Sequence, residues 1–172
     1  MKLRIFPTLL MLLLATTIAS TQSSSATAPD NGPSAFGQGG FEFFNRSREI
    51  PQLEQWTFSF EAIANKKGHA RGRGIFNISG TEVVVKIVCL KVHGSPGFAT
   101  AIMTGTVLHS DNPNYPKGAN VVFAAEDNND SPFFSVDTIT PLFEIFEGLG
   151  DCHEIGQPLT IFQVGDSITI EF

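Results

Sequence analysis

Between residues 56 and 64, apolar Trp56, Phe58, Phe60, Ala62 and Ala64 alternate with polar Thr57, Ser59 and Glu61. A period of two buries one face of a strand, whereas a helix needs a period of 3.6. Asn65-Lys66-Lys67-Gly68-His69 then supplies turn residues. Ala70, Gly72, Gly74, Phe76 and Ile78 resume the alternation against Arg71, Arg73, Ile75 and Asn77, which predicts a hairpin. The small inward residues of its second strand leave room for a large neighbour such as Trp56.

In residues 82–92, Val83, Val85, Ile87 and Cys89 share one phase, and Leu90 and Val92 share the other. The slip at Cys89-Leu90 predicts a β-bulge that keeps both sets pointing inward. Gly94-Ser95-Pro96-Gly97 is a turn, residues 98–109 a strand, and residues 110–117 a loop holding Pro113 and Pro116. Residues 118–126, with Val121, Val122 and Phe123, form a further strand, and residues 135–146 form one or two more, bent at Pro141. Gly165-Asp166, between the strands 159–164 and 167–172, predicts a two-residue hairpin turn. The pairs Phe43-Phe44 and Phe133-Phe134 each put one ring on either face if extended. Helical periodicity is missing, with Pro141 and Gly148 breaking the best candidate window. The expected fold is all-β, an antiparallel β-barrel or β-sandwich of about eight strands.

The first twenty residues follow a different logic. Lys2 and Arg4 precede a mostly apolar run at 5–15, and Thr17-Ile18-Ala19-Ser20 offers small residues for cleavage. The run is shorter than the roughly 18 residues of a membrane span, so residues 1–20 read as a cleaved signal peptide. Residues 21–35 are rich in Ser, Thr, Ala, Pro and Gly and read as a disordered leader, with residues 36–172 forming a single β domain. The expected product is secreted or periplasmic and has no transmembrane helix in its mature chain.

The chain has 172 residues, 42% hydrophobic and 16% charged, which suits one globular domain. Removing Lys2 and Arg4 leaves nine basic against seventeen acidic residues, a balance of −8. That balance argues against nucleic acid or an anionic membrane as partner. Lys66/Lys67 and Arg71/Arg73 read as a solvated hairpin rather than a phosphate site. Sixteen Phe against one Trp and one Tyr point to a ring-filled core, and away from sugar or base stacking at the surface. The even pair Cys89 and Cys152 in an exported chain predicts one disulfide, worth on the order of 4 kcal/mol by loop-closure entropy.

Local catalytic signatures are lacking, and no catalytic residue or cofactor is expected. His109-Ser110-Asp111 sets three triad residue types side by side, but chain neighbours seldom converge as a triad must. His153 adjoins Cys152 and His93 follows Cys89 by four, but zinc is disfavoured because Cys152 and His153, if extended, point to opposite faces. Asp127, Asp130 and Asp137 are the candidate metal ligands, as clustered carboxylates suit calcium. The EF-hand template fails there, with Pro132 in the glycine position and Thr138 in the glutamate position counted from Asp127. The same carboxylates are the candidate acid and base of a hydrolase. Asn45, Asn77 and Asn129 head glycosylation sequons.

Gly80-Thr81-Glu82-Val83, Val88-Cys89-Leu90-Lys91-Val92, Gly105-Thr106-Val107, and residues 118–122 leading to Asp127-Asn128 carry a resemblance. Over residues 39–172 the chain resembles small secreted bacterial proteins of unassigned function, loosely the post-COAP-1-like extracellular β domains. The resemblance implies a bacterial, exported origin and a compact β fold, and it transfers no catalytic residue. The leading expectation is an exported, non-catalytic β domain with a binding or structural role. Its alternatives are a carrier of a small apolar molecule in a Phe-lined barrel and a hydrolase using the acidic loop. A surface protein or an apolar small molecule is the expected partner.

Overall fold

A computed structural model of the chain describes residues 32–45, 52–128, 136–145, 152, 154, 155, 162–165 and 167–172. The signal peptide, most of the leader, Asp130, Phe133-Phe134, Asn129 and His153 lie outside the described residues. Among the described residues ten strands follow in order: β1 (Ser34–Asn45), β2 (Gln52–Ala64), β3 (His69–Ile78), β4 (Thr81–Ser95), β5 (Phe98–Ser110), β6 (Asn120–Asp127), β7 (Asp137–Ile139), β8 (Phe143–Ile145), β9 (Phe162–Gly165) and β10 (Ile168–Glu171). Every pairing is antiparallel, and no helix occurs among the described residues. The expected all-β fold is the observed one.

The strands form one sheet in the order β10-β1-β2-β3-β4-β5-β6-β7-β9, with β8 also paired to β6. β9 and β10 stand at opposite ends of that path, yet only residues 166 and 167 separate them in the chain. The sheet therefore curls until its two edges meet, a barrel-like form that strand twist and bulges make possible. The hairpin expected at Gly165-Asp166 does not form. β9 pairs with β7, β10 pairs with β1, and the chain passes from one edge to the other. A Gly-Asp dipeptide permits a tight turn, but here the backbone groups beyond it have other partners. Ser167 O accepts from Gln38 N–H at 3.2 Å, and the Asp137 carboxylate takes the Ser167 and Ile168 N–H groups.

β1 begins at Ser34, with Ala35 fully buried, although its composition resembles the leader. Its glycines are fitted to rings. A Cβ on Gly37 would lie 2.6 Å from the Phe60 ring, and one on Gly39 would lie 3.1 Å from Phe58. Gly74 on β3 makes the same allowance, its Cβ falling 2.8 Å from the Phe76 ring. The room left at Gly74 is thus taken by Phe76 rather than Trp56, while Gly72 lies close against the backbone of Glu61 and Ala62. The Phe43-Phe44 expectation holds, with Phe43 half-buried and Phe44 exposed.

The bulge on β4 is present one residue earlier than the hydrophobic phase implied. The β4–β5 register shifts between Ile87 and Cys89, and also between Val84 and Val85. Val83, Val85, Ile87 and Leu90 are all fully buried as a result. Cys89 leaves the inward set and forms a disulfide with Cys152, Cα to Cα 5.8 Å. β7 and β8 are two pieces of one course along β6, broken at Thr140 and Pro141. Thr140 bridges the break: its Oγ1 accepts the Ala124 N–H at 2.9 Å, and its own N–H donates to Ala124 O.

Rings fill the interior. Phe60 and Phe76 meet Phe123 edge-on, with centroids 5.5 and 5.0 Å apart. Phe41 stacks between Trp56 at 5.7 Å and Phe162 at 4.8 Å, and Tyr115 stands edge-on to Trp56. Each such pair adds about 0.5–1.5 kcal/mol beyond the area it buries. A smaller apolar group, Ile102, Val122 and Ala124, packs with Ile145 and Ile155. Thr104 is fully buried, and its Oγ1 has no hydrogen-bond partner among the described residues.

Candidate functional site

Two of the three candidate metal ligands sit where the curled sheet closes. Alternate N–H groups of a strand point to opposite sides, and those of Ile168 and Ile170 face away from β1. Asp137 Oδ2 accepts from Ser167 N–H at 2.8 Å and Ile168 N–H at 2.7 Å, while its Oδ1 accepts from Asn128 N–H at 3.0 Å. Asp127 Oδ2 accepts from Ile170 N–H at 3.1 Å. Both carboxylates are buried, Asp137 completely, and they stand in for the ladder bonds that a neighbouring strand would supply. Asp130 lies outside the described residues, and among those described no three His, Cys, Asp or Glu side chains could hold a metal ion. Acidic loop composition pointed to these two residues, but apart from the Asn128 N–H the backbone donors they serve come from a segment thirty or more positions further on.

A second polar group lies inside. Glu54 is buried beside Trp56, whose Nε1–H donates to Glu54 Oε2 at 3.2 Å. Tyr115 O–H donates to Leu142 O at 2.9 Å. Burial pushes the Tyr115 hydroxyl up to about 12 from its ordinary 10.0, with the charges of Glu54 and Glu144 adding to the effect. Sequence reading missed Glu54 because it continues the even-numbered inward phase of β2 one step past Trp56, at a position where a strand end is normally wet.

The outer wall presents a different chemistry. Across β10, β1, β2 and β3 a concavity of about 520 Å³ opens outward, lined by Phe36, Gln38, Ser59, Glu61, Arg73 and Thr169 among others. Strand register explains the set. One row runs Thr169–Phe36–Glu61–Arg73 and the next runs Gln38–Ser59–Ile75, each residue directly opposite its neighbour. Alternation sends this phase outward while Ala35, Phe60 and Ala62 point in. The groove thus combines an apolar ring, an amide, two hydroxyls, a carboxylate and a guanidinium. None of the side chains of Gln38, Ser59, Glu61, Arg73 and Thr169 has a hydrogen-bond or ion-pair partner among the described residues.

No protein-family model, curated protein or solved structure matches this chain. The triad-like tripeptide is a surface feature: His109 Nε2 and Asp111 Oδ1 are 3.5 Å apart, both side chains are well exposed, and Ser110 Oγ accepts from Asn112 N–H. Cys89 and Cys152 are spent on each other, and this disulfide fits an oxidising, extracellular or periplasmic location. Asn77 is exposed on β3, with its Oδ1 accepting from Gly80 N–H. No helix among the described residues is long and apolar enough to cross a membrane.

Proposed function

We propose that this chain is an exported, non-catalytic β domain that binds its partner through the outer wall, on the groove spanning β10, β1, β2 and β3. The observation that carries the reading is the division of labour between the two walls. Inward positions are occupied by the protein's own rings and aliphatic chains, and the buried Asp127 and Asp137 carboxylates are committed to backbone N–H groups. The outward groove gathers hydrogen-bonding, charged and apolar side chains in one concavity, the composition of a recognition site. The disulfide, which fits an oxidising location, agrees with export.

Nuclear magnetic resonance of the oxidised chain with a panel of small saccharides and N-acetyl amino acids tests it. Shifts confined to Phe36, Ser59, Ile75 and their neighbours are expected. Shifts centred on the ring-filled interior, or a small molecule co-purifying in native mass spectrometry, would instead establish the apolar carrier and overturn the proposal.

A further inference from the structure

Six of the nine Lys and Arg that follow residue 20 lie on the β2–β3 turn, β3 and β4: Lys66, Lys67, Arg71, Arg73, Lys86 and Lys91. The sequence shows two separate knots and two isolated lysines. Pairing of β3 with β4 joins Lys86 to the two knots, while Lys91 lies beyond the last β3–β4 pair, His69 with Cys89. Arg73 stands directly opposite Lys86, and both are exposed. Lys66, Lys67 and Arg71 are exposed as well, and none of these five forms an ion pair among the described residues. Like charges directly opposite one another on a sheet are destabilising, and the Arg73–Lys86 pair, relieved in part by Glu61 opposite Arg73 on β2, carries a cost that a bound anion would reduce. Arg73 also lines the groove, so the strip and the groove are continuous.

Resting on the outer-wall reading above, we infer that groove and strip together bind a single chain of a carboxylate-bearing polysaccharide. Guanidinium and ammonium groups suit carboxylates, with the Arg73 fork able to take both oxygens of one. Gln38, Ser59 and Thr169 offer donors and acceptors for sugar hydroxyls, and Phe36, a ring the fold leaves outside its core, offers an apolar face to a sugar, against the expectation from composition. A thin chain touches only groove and strip, where the one lining carboxylate, Glu61, stands beside Arg73. A bilayer or a nucleic-acid duplex would also bring the rest of an acidic surface against phosphates, and repulsion there opposes docking.

Titration calorimetry with oligogalacturonate at low ionic strength is the test, with the fully methyl-esterified oligomer, phosphatidylglycerol vesicles and a DNA duplex run beside it. Binding of the acid form alone, weakening as salt is raised, is expected. Arg73→Glu with Lys86→Glu should weaken it roughly tenfold, two exposed attractions becoming two repulsions, while Lys117→Glu leaves it unchanged. Should the double reversal disturb the melting profile, Arg73→Gln with Lys86→Gln replaces it, with a smaller loss of about threefold expected. Absence of binding, an unaffected variant, or equal binding of vesicles or DNA overturns the inference. Equal binding of the methyl ester, lost in Phe36→Ala, overturns it too but leaves the groove as a binding site.

Discussion

The closing seam of the sheet rests on Asp137, and Asp137→Asn measures how much. The carboxylate accepts three backbone N–H groups, two on Oδ2 and one on Oδ1. An amide keeps one oxygen. If that oxygen faces Ser167 and Ile168, the NH₂ points at the Asn128 N–H, donor against donor, leaving a buried N–H unpaired at a cost of about 1–3 kcal/mol. The two surviving bonds lose their charge, worth about 1 kcal/mol each given that ionic acceptors are roughly twice as strong as neutral ones. Turning the amide over leaves two N–H groups unpaired and costs at least as much. The expected loss is about 3–5 kcal/mol, a large fraction of the roughly 5–15 kcal/mol that holds a domain together. Urea unfolding of the oxidised protein, followed by the fluorescence of the single tryptophan, Trp56, reads the difference directly. Amide exchange at Ser167 and Ile168 should accelerate with it. Asp111→Asn, at an exposed carboxylate, is the control and should stay within about 0.5 kcal/mol of the parent. A loss below about 1 kcal/mol for Asp137→Asn would refute the claim that side-chain acceptors close the sheet.

Other outcomes follow from the same packing. Gly37→Ala places a methyl 2.6 Å from the Phe60 ring and should cost about 1–3 kcal/mol in urea unfolding; Phe60→Leu in the same chain should recover part of it, a coupling that a double-mutant cycle detects. Thr104→Val removes a buried hydroxyl without a partner among the described residues, and thermal unfolding should show unchanged or raised stability, by up to about 1 kcal/mol. Tyr115, the only tyrosine, should ionise near 12 in the folded protein, as its ultraviolet absorbance will report, against about 10 in the urea-unfolded chain. Because the raised pKa favours the neutral phenol in the fold, its contribution to stability is fully present below pH 10 and is lost as pH rises through about 12. A tyrosinate step at 10 in the folded state would place that hydroxyl in water.

Alternation of side chains along each strand is a property of neighbouring residues, and so the sequence by itself determined the antiparallel β class, the β2–β3 hairpin, the presence of a bulge on β4 and the break at Pro141. Two cysteines in a chain that reads as exported were enough to name the Cys89–Cys152 bond. What depends on which strand meets which was decided only by the tertiary structure. The Gly-rich start of β1 looks like leader until Phe58 and Phe60 fill the space its missing side chains leave. Gly165-Asp166 looks like a turn until β9 and β10 take partners on opposite edges. Asp127 and Asp137 resemble ion ligands as neighbours in the chain, and become backbone acceptors because the sheet curls β10 onto them. The outer groove and the joined basic strip belong to the same kind: each is a row across strands, and a row exists only once register is set. A strand's own period specifies which face a residue occupies, while the side chains beside it are set by hydrogen bonds between segments far apart in the chain.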